Sequence, residues 1–298
     1  MPPDFQQKDT IAVIGLGKTG TAIGHLLGRA GYRIVAVTGR TGAAQQNRIA
    51  YTGGVAFPAD ANAEAASLAT CIFITTPDDT IAAVCRDIAE NGGIQRGDKV
   101  IHTSGAGGLD LLESARAAGA KVASIHPLQS FADVEGAIRN IPGSTFGVTA
   151  EAELREWSAE IVRELGGIPL EVPDAVKPLY HAAACLASNY LTTLIHTVEE
   201  MYLALGLGRD EAMRAFWPLV RGTLGNIETR GTVQALTGPI VRGDAGTIAR
   251  HLDVLRKILP AYLPVYRTLG LLTVELAEKR GTLARDQLAS IERNLQGD

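Results

Sequence analysis

The chain has 298 residues, of which 46% are hydrophobic and 20% are charged, and its formal net charge is −4. This composition is typical of a globular protein with one large domain or two of medium size. The mildly acidic balance argues against sequence-independent binding to nucleic acid, because such binding depends on clustered lysine and arginine.

The sequence also bears on location and metal content. No segment has the roughly 18 unbroken apolar residues that a membrane helix needs, and the N-terminal residues lack the pattern of a secretory signal. The cysteines Cys71, Cys85 and Cys185 lie far apart, without metal-site spacing. We therefore expect a cytoplasmic protein with reduced thiols, no membrane partner and no bound metal.

The first half of the chain alternates between two kinds of pattern. Apolar runs of strand length stand at residues 11–15, 32–38, 71–76, 99–104, 121–126, 144–149 and 168–172. Helical patterns lie between most of them, for example at residues 80–93, 109–120 and 152–167. Short hydrophobic strands separated by amphipathic helices predict an α/β fold, with a Rossmann-type doubly wound, mostly parallel sheet buried on both faces.

The pattern changes after Pro173, and from about residue 175 onwards nearly every segment reads as helix. A shift from alternating elements to helices alone marks a domain boundary. We predict a dinucleotide-binding Rossmann domain over residues 1–172, followed by an all-helical dimerisation and substrate domain over residues 173–298.

A glycine motif follows the first predicted strand, in "IAVIGLGKTGTAIG". In a Rossmann fingerprint the first glycine permits a tight turn, the second lets backbone amides approach a pyrophosphate, and the third allows the helix to pack on the strand. The alternative is a glycine-rich turn that holds no nucleotide. The residues predicted to bind a dinucleotide here are Gly15, Leu16, Gly17, Lys18, Thr19 and Gly20.

The end of the second predicted strand indicates which dinucleotide is bound. NAD sites usually place a carboxylate there for the ribose hydroxyl, but this chain reads Thr38-Gly39-Arg40-Thr41. An arginine beside a hydroxyl suits a 2′-phosphate, because the guanidinium donates several hydrogen bonds in a fixed fork. The sequence therefore predicts NADP(H), bound partly by Thr38 and Arg40, unless Arg40 is a solvated loop residue.

Other strand ends are expected at the same ligand-binding edge. They supply the cofactor candidates Thr75, Thr76 and Pro77, and also Ser104 and His126. Pro127 disfavours helix for the residue before it, so His126 is held extended at a strand tip. Its position therefore has a structural cause, while its ring is a candidate for catalysis.

The first predicted helix of the second half, in "KPLYHAAACLASNYL", carries further polar groups. His181 and Ser188 share nearly one helical face, Asn189 lies close by, and the alanines keep the helix thin. These groups could form one wall of a substrate cleft, or the helix could simply pack with a polar flank. Arg242, in "LTGPIVRGD", could bind a carboxylate or lie on the surface.

Several motifs together resemble a known family. They are "AVIGLGKTGTAIG", "TTPDDTI", "HTSGAGG", "SIHPLQSF", "YHAAACLASNYL" and "LTGPIVRGD". The chain resembles a bacterial family that joins a Rossmann-like N-terminal domain to a helical C-terminal domain of unknown function. Its relatives are pyrroline-5-carboxylate reductases, ketopantoate reductases, prephenate dehydrogenases and deazaflavin-dependent NADP oxidoreductases. The shared 6-phosphogluconate-dehydrogenase-like architecture implies a homodimer formed through the helical domain.

The resemblance to prephenate dehydrogenases bears on the site. Those enzymes place a catalytic histidine in a His-Pro step, a serine after an earlier strand, and a histidine and a serine on the first helix of the helical domain. His126, Ser104, His181 and Ser188 fit this outline. The chain departs from it at Asn189, where a second histidine is expected, and it lacks the arginine-rich carboxylate pocket, so the chemistry transfers better than the substrate.

These observations predict an NADP(H)-dependent oxidoreductase. Hydride would pass between the nicotinamide and a small, anionic carbonyl or imine metabolite, with a 2-oxo acid of ketopantoate type as the first choice. An ordinary imidazole titrates near pH 6.5 and suits proton donation. The predicted catalytic residues are His126, His181, Ser104 and Asn189, and the predicted substrate residues are Ser188, Arg242 and Gln129. The alternatives are an NADP(H)-binding sensor and an inactive scaffold, neither of which transfers hydride.

Overall fold

The computed structural model describes residues 8–39 and 43–297. The chain divides into two compact units, which we call unit 1 (up to Asn189) and unit 2 (from Tyr190). No helix within the described ranges is both long and apolar enough to cross a lipid bilayer.

Unit 1 is built on a sheet of eight strands. The strands are β1 (Thr10–Ile14), β2 (Arg33–Gly39), β3 (Val55–Pro58), β4 (Cys71–Ile74), β5 (Lys99–His102), β6 (Lys121–Pro127), β7 (Thr145–Ala150) and β8 (Ile168–Glu171). Their order is β3-β2-β1-β4-β5-β6-β7-β8. All neighbours pair in parallel except β6 and β7, which are antiparallel. The predicted doubly wound, mostly parallel sheet is confirmed.

Helices cover both faces of this sheet. The α-helices of unit 1 are α1 (Lys18–Arg29), α2 (Ala43–Thr52), α3 (Asn62–Ala66), α4 (Ile81–Glu90), α5 (Glu113–Ala117), α6 (Val134–Asn140), α7 (Arg155–Glu164) and α8 (Lys177–Cys185). Strand β1 shows that the sheet is buried on both faces. Ile11 and Val13 belong to one apolar cluster, whereas Ala12 and Ile14 belong to the other. Successive side chains of a strand point to opposite faces, so a continuous apolar run serves two cores.

One strand was not predicted from the sequence. Strand β3 has four residues, and Val55 at its start is 58% exposed. It lies at the edge of the sheet, where only one neighbour and little apolar burial are needed. A short exposed strand therefore leaves a weak pattern in the sequence.

The remainder of the chain is helical, as predicted. A π-helical segment, Leu186–Tyr190, follows α8, and the later helices are α9 (Leu191–Leu203), α10 (Arg209–Ala235), α11 (Ala245–Ile258), α12 (Leu263–Arg280) and α13 (Arg285–Gln296). Within unit 2, α11, α12 and α13 share an apolar core that includes Ile248, Val274 and Ile291. The domain boundary after residue 172 stays a prediction: the strands end at Glu171, while the compact units divide after Asn189.

Candidate active site

The candidate site of unit 1 lies at the carboxyl ends of four neighbouring strands. Because β1, β4, β5 and β6 run parallel, their ends meet at one edge of the sheet, where open α/β sheets bind ligands. The glycine turn follows β1, Thr75 follows β4, Ser104 follows β5, and His126 stands near the end of β6.

The glycine turn is fixed by strand β2. Gly15 has a φ of +98°, a left-handed conformation that favours glycine. Its N–H and that of Leu16 donate to the carbonyl of Thr38, at 3.2 and 2.7 Å. The buried hydroxyl of Thr38 donates to Asn62 Oδ1 at 2.7 Å. Thr38 therefore shapes the turn through its backbone, and its hydroxyl is already engaged.

The other two glycines of the motif differ in what surrounds them. A Cβ at Gly20 would lie 2.3 Å from Thr75 Oγ1 and 2.6 Å from the carbonyl oxygen of Gly15, so this position requires a glycine for packing. A Cβ at Gly17 would meet nothing within 4 Å. The fold does not demand a glycine at position 17, just before α1 begins. Open backbone at a helix N-terminus suits the close approach of an anion.

The residues after β4 complete this part of the site. Thr75 donates its hydroxyl to the carbonyl of Gly15 at 2.6 Å. Thr76 Oγ1 is buried and, within the described ranges, has no hydrogen-bond partner, whereas Pro77 is exposed. Buried hydroxyls are nearly always hydrogen-bonded. Thr76 Oγ1 is therefore a candidate to contact a ligand at the glycine turn.

The basic residues predicted or found near the glycine turn differ in their contacts. The Lys18 ammonium donates to the carbonyl of Phe131 at 3.2 Å, and Thr19 is half-buried beside it in α1. Arg40 lies outside the described residues. Arg48, which the sequence analysis did not single out, donates to the carbonyl of Leu16 at 2.9 Å and so brings a guanidinium to the turn.

His126 lies beside helix α8. Its Nδ1 is 3.0 Å from the Tyr180 hydroxyl, and its ring centroid is 6.0 Å from that of His181. Gly105, in the loop after β5, contacts both imidazoles, because a Cβ there would lie 2.8 Å from the His126 ring and 2.6 Å from His181 Cδ2. The structure therefore brings together the two histidines predicted from sequence.

The surroundings of His126 change its titration. Burial, followed by the Lys177 ammonium and His181, lowers the pKa of His126 from 6.5 to about 4, although Asp78 opposes the shift. The ring is therefore neutral at pH 7, and the expectation of an ordinary imidazole pKa is wrong for His126. Burial also raises the pKa of Tyr180, so the neighbouring phenol keeps its proton at neutral pH.

The loop after β5 is held by buried polar groups. Ser104 Oγ donates to Asp78 Oδ2 at 2.6 Å and accepts the Gly107 N–H at 2.8 Å. His102 is fully buried, and its ring lies within hydrogen-bond distance of the Ser104 N–H and the Gly108 carbonyl, at 3.1 Å in each case. Burial, aided by the Lys177 ammonium, lowers the pKa of His102 to about 4. A neutral His102 thus fixes the loop that carries Ser104.

Lys177 opens helix α8 and is 1% exposed. Its ammonium donates to Ser124 Oγ at 2.8 Å and to the carbonyl of Ser104 at 3.3 Å. Burial lowers the pKa of Lys177 to about 8, against the opposing influence of Asp174 and Asp78. This buried cation is part of the candidate site, although no role was predicted for it from the sequence.

The other residues predicted for catalysis or substrate binding are Ser188, Asn189, Gln129 and Arg242. Ser188 and Asn189 are exposed and belong to the π-helical segment. A π-turn holds more residues than an α-turn, so the face predicted from regular α-helical spacing does not apply to them. The Gln129 amide donates to Ser144 Oγ at 3.2 Å, and Arg242 stands in a short turn of unit 2. The catalytic and substrate roles of these residues stay predictions.

A separate group in unit 2 has the side chains of a metal site. The ligand atoms of His196, Glu199 and Glu200 come within 4.8 Å of one another. Arg209, however, pairs with both carboxylates, at 2.9 and 3.6 Å. A guanidinium therefore already supplies the positive charge that these carboxylates attract.

No role in this site was predicted from the sequence for Asp78, His102, Gly105, Lys177 or Tyr180. Asp78 stood within a quoted motif, and His102 ends a predicted strand, so a sequence signal was available for both. Lys177 and Tyr180 stand in the quoted motif "KPLYHAAACLASNYL", which does not by itself indicate what their side chains contact. Only the tertiary structure shows that Lys177 donates to Ser124 of β6 and to the loop after β5, and that Tyr180 lies against His126.

Comparison with known proteins is consistent with this geometry. The fold and the motif define a Rossmann-type protein with an additional helical region. A Rossmann-like domain matches residues 4–127, and the domain of unknown function DUF2520 matches residues 144–273. The chain therefore combines these two domains, which confirms the family resemblance noted from the motifs. No curated protein matches the sequence.

Solved structures share the fold over most of the chain. A Bacteroides fragilis protein described as an NADP oxidoreductase is 22% identical, with a TM-score of 0.71 over 91% of this chain and 98% of its own. A Thermotoga maritima protein is 24% identical, with a TM-score of 0.70 over 91% of this chain and 100% of its own. Pyrroline carboxylate reductase from Plasmodium falciparum, solved with NADP bound, is 14% identical, with a TM-score of 0.58 over 95% and 98% of the two chains.

Proposed function

We propose that this protein is an NADP(H)-dependent oxidoreductase. It would transfer hydride between the nicotinamide and a carbonyl or imine carbon of a small, anionic metabolite, and a 2-oxo acid of ketopantoate type is the first substrate to test. The observation that carries this proposal is that one sheet edge holds both the glycine turn and the cluster around His126. The NADP-bound structure of a reductase with this fold supports the choice of cofactor.

The residues at the turn fit a dinucleotide. The space beside Gly17 is open, and the buried Thr76 hydroxyl has no partner among the described residues. Backbone amides at the start of α1 would hold the pyrophosphate. When bound, NADPH supplies the hydride, and the protein supplies orientation and proton chemistry.

Exchanging the two glycines for alanine separates ligand binding from folding. Gly17→Ala is expected to weaken NADPH binding by at least about tenfold without changing the free energy of unfolding, because its methyl group occupies only the ligand's space. Gly20→Ala is its matched control and is expected to destabilise the fold by about 1–3 kcal/mol, because the methyl group overlaps Thr75 and Gly15. Calorimetric titration and thermal unfolding measure the two effects. Unchanged NADPH affinity in Gly17→Ala would show that the pyrophosphate does not bind at the glycine turn.

Preference for the phosphorylated cofactor is proposed to depend on Arg40. Its guanidinium would bind the 2′-phosphate. Arg48 adds a second guanidinium near the glycine turn through its hydrogen bond to the carbonyl of Leu16. Arg40→Ala is expected to weaken NADPH binding by about tenfold to a hundredfold and to leave NADH binding unchanged. Fluorescence titration with both cofactors tests this. Equal affinity of the wild type for NADH and NADPH would end the claim of NADP specificity.

The proton chemistry is divided between the two histidines. We assign the Tyr180 phenol, which keeps its proton, as the donor to His126 Nδ1, and this assignment leaves the imidazole proton on Nε2. A neutral imidazole in this state can polarise a carbonyl by a hydrogen bond, as other enzymes do. His181 is partly exposed next to it, and we assign proton donation to this ring. Ser104 would have to release Asp78 before it could donate to a substrate.

A substrate screen tests the proposed reaction. Loss of NADPH absorbance would be followed across a panel of 2-oxo acids and cyclic imines, with NADPH binding measured in parallel. Turnover of any member at a rate that depends on enzyme concentration supports the proposal. Binding of NADPH without oxidation across the panel would favour a sensor, and the absence of both would favour a scaffold.

The assembly and location are proposed on separate grounds. We propose a homodimer through the helical domain, because unit 2 exposes large apolar side chains such as Leu219, Leu224 and Leu272, and such patches mark interaction surfaces. Light scattering should give twice the mass of the chain. The buried, unpaired thiols of Cys71 and Cys85 support a cytoplasmic location.

A further inference from the structure

The segment around the glycine turn has a one-sided distribution of charge. The chain contains 32 acidic residues, yet none of them lies between Asp9 and Asp60. The basic residues of the same stretch are Lys18, Arg29, Arg33, Arg40 and Arg48. Charges of one sign raise the local potential and attract a ligand of the opposite sign. This part of unit 1 therefore favours an anionic ligand.

Arg48 brings one of these cations to the glycine turn. It is the charged residue of helix α2, and its Nη1 donates to the carbonyl of the buried Leu16 at 2.9 Å. The carbonyl of Leu16 and the N–H of Gly17 belong to one planar peptide group. The guanidinium therefore lies beside the position whose open space the proposed function gives to the pyrophosphate.

Most of the hydrogen-bonding capacity of Arg48 remains available. A guanidinium has five N–H donors, and among the described residues Arg48 makes the single bond to Leu16. None of the ion pairs within those residues includes Arg48. Because a guanidinium binds phosphate oxygens through two parallel hydrogen bonds, Arg48 can hold a phosphate group and keep its bond to Leu16.

We propose that Arg48 binds the pyrophosphate of the dinucleotide and holds it against the glycine turn. This inference rests on the proposed function, because that function supplies the ligand. The pyrophosphate is favoured over the 2′-phosphate because Arg48 is bonded to the turn itself, whereas the 2′-phosphate is assigned to Arg40, the next residue after strand β2. Arg40 would then decide between NADPH and NADH, and Arg48 would strengthen the binding of both.

Binding of nucleotide fragments tests the proposal without turnover. NADPH is compared by calorimetry with ADP-ribose, which has the pyrophosphate alone, and with adenosine 2′-monophosphate, which has the 2′-phosphate alone. Arg48→Met should weaken NADPH and ADP-ribose by the same factor, about tenfold to a hundredfold, because a charge-assisted contact is lost. Binding of adenosine 2′-monophosphate should not change. Arg48→Lys should recover part of the loss, because it keeps the charge without the planar fork.

Arg33→Met is the matched control for Arg48→Met. It removes the same charge at the exposed start of strand β2, at the opposite edge of the sheet, and should leave all three affinities unchanged. Equal losses in Arg33→Met and Arg48→Met would show a general effect of charge and overturn the proposal. Unchanged affinities in Arg48→Met, or losses confined to NADPH and adenosine 2′-monophosphate, would also overturn it.

A second measurement uses the wild type alone and does not depend on the folding of a variant. In protein labelled with nitrogen-15 arginine, the guanidinium signal of Arg48, assigned through its backbone resonances, is followed by NMR. ADP-ribose should move this signal, and adenosine, which has no phosphate, should not. An unmoved signal at saturating ADP-ribose overturns the proposal. NADPH binding that depends on Arg48 in a protein that oxidises no NADPH would support the role of Arg48 and refute the proposed reaction.

Discussion

His126→Ala is expected to lower kcat/KM for NADPH-dependent reduction by about 10²–10³-fold, the loss that follows removal of one hydrogen-bond donor to a developing negative charge. The affinity for NADPH should not change, because the imidazole is assigned to the substrate rather than to the cofactor. The measurement is a steady-state rate with the best substrate of the panel, combined with a direct NADPH titration. The physical reason is loss of the Nε2 donor that would stabilise developing negative charge on the substrate.

The control for this substitution is His196→Ala. His196 is an exposed histidine of unit 2, so its removal should leave kcat/KM unchanged. Full turnover by a folded His126→Ala protein would exclude His126 from the reaction. A loss that also appeared in NADPH affinity would instead place the ring against the cofactor.

Gly105→Ala is expected to lower kcat/KM by about 10²-fold, the cost of misplacing catalytic groups by about an ångström. The added methyl group would lie 2.6–2.8 Å from His181 and His126, so both rings must move. The thermal unfolding midpoint should change little, because the strained contacts are the ends of two side chains. Rates and unfolding are measured on the same preparation.

Gly208→Ala is the matched control for Gly105→Ala, since a Cβ at Gly208 would meet nothing within 4 Å. The double variant Gly105→Ala/His126→Ala adds a sharper test. If Gly105 acts by positioning the rings, the double variant should be little slower than His126→Ala alone, because residues that act as a unit are not additive. Additive losses would show that Gly105 acts independently of His126.

Local patterns in the sequence were sufficient to predict most of the fold. Apolar runs predicted every strand except β3, whose edge position requires little burial. The Gly15–Gly20 motif predicted the turn and its place before a helix, because the left-handed φ at Gly15 and the close approach of Gly20 to the Gly15 carbonyl are local requirements. The His-Pro step likewise placed His126 near the end of β6.

The chemistry of the site depended on contacts between distant segments. The sequence could not indicate that β7 runs antiparallel to β6 or that a π-helical segment interrupts the helix carrying Ser188. It could not indicate that Lys177 is buried against Ser124, 53 residues away.

The sequence by itself therefore determined the two-part organisation, the parallel sheet and the glycine turn, because hydrophobic periodicity and backbone sterics act over a few residues. Only the tertiary structure decided that His126 is neutral, that the Ser104 hydroxyl is held by Asp78, and that the buried Thr76 hydroxyl has no hydrogen-bond partner among the described residues. Burial and through-space charge depend on which elements pack together, and a linear pattern does not record those contacts.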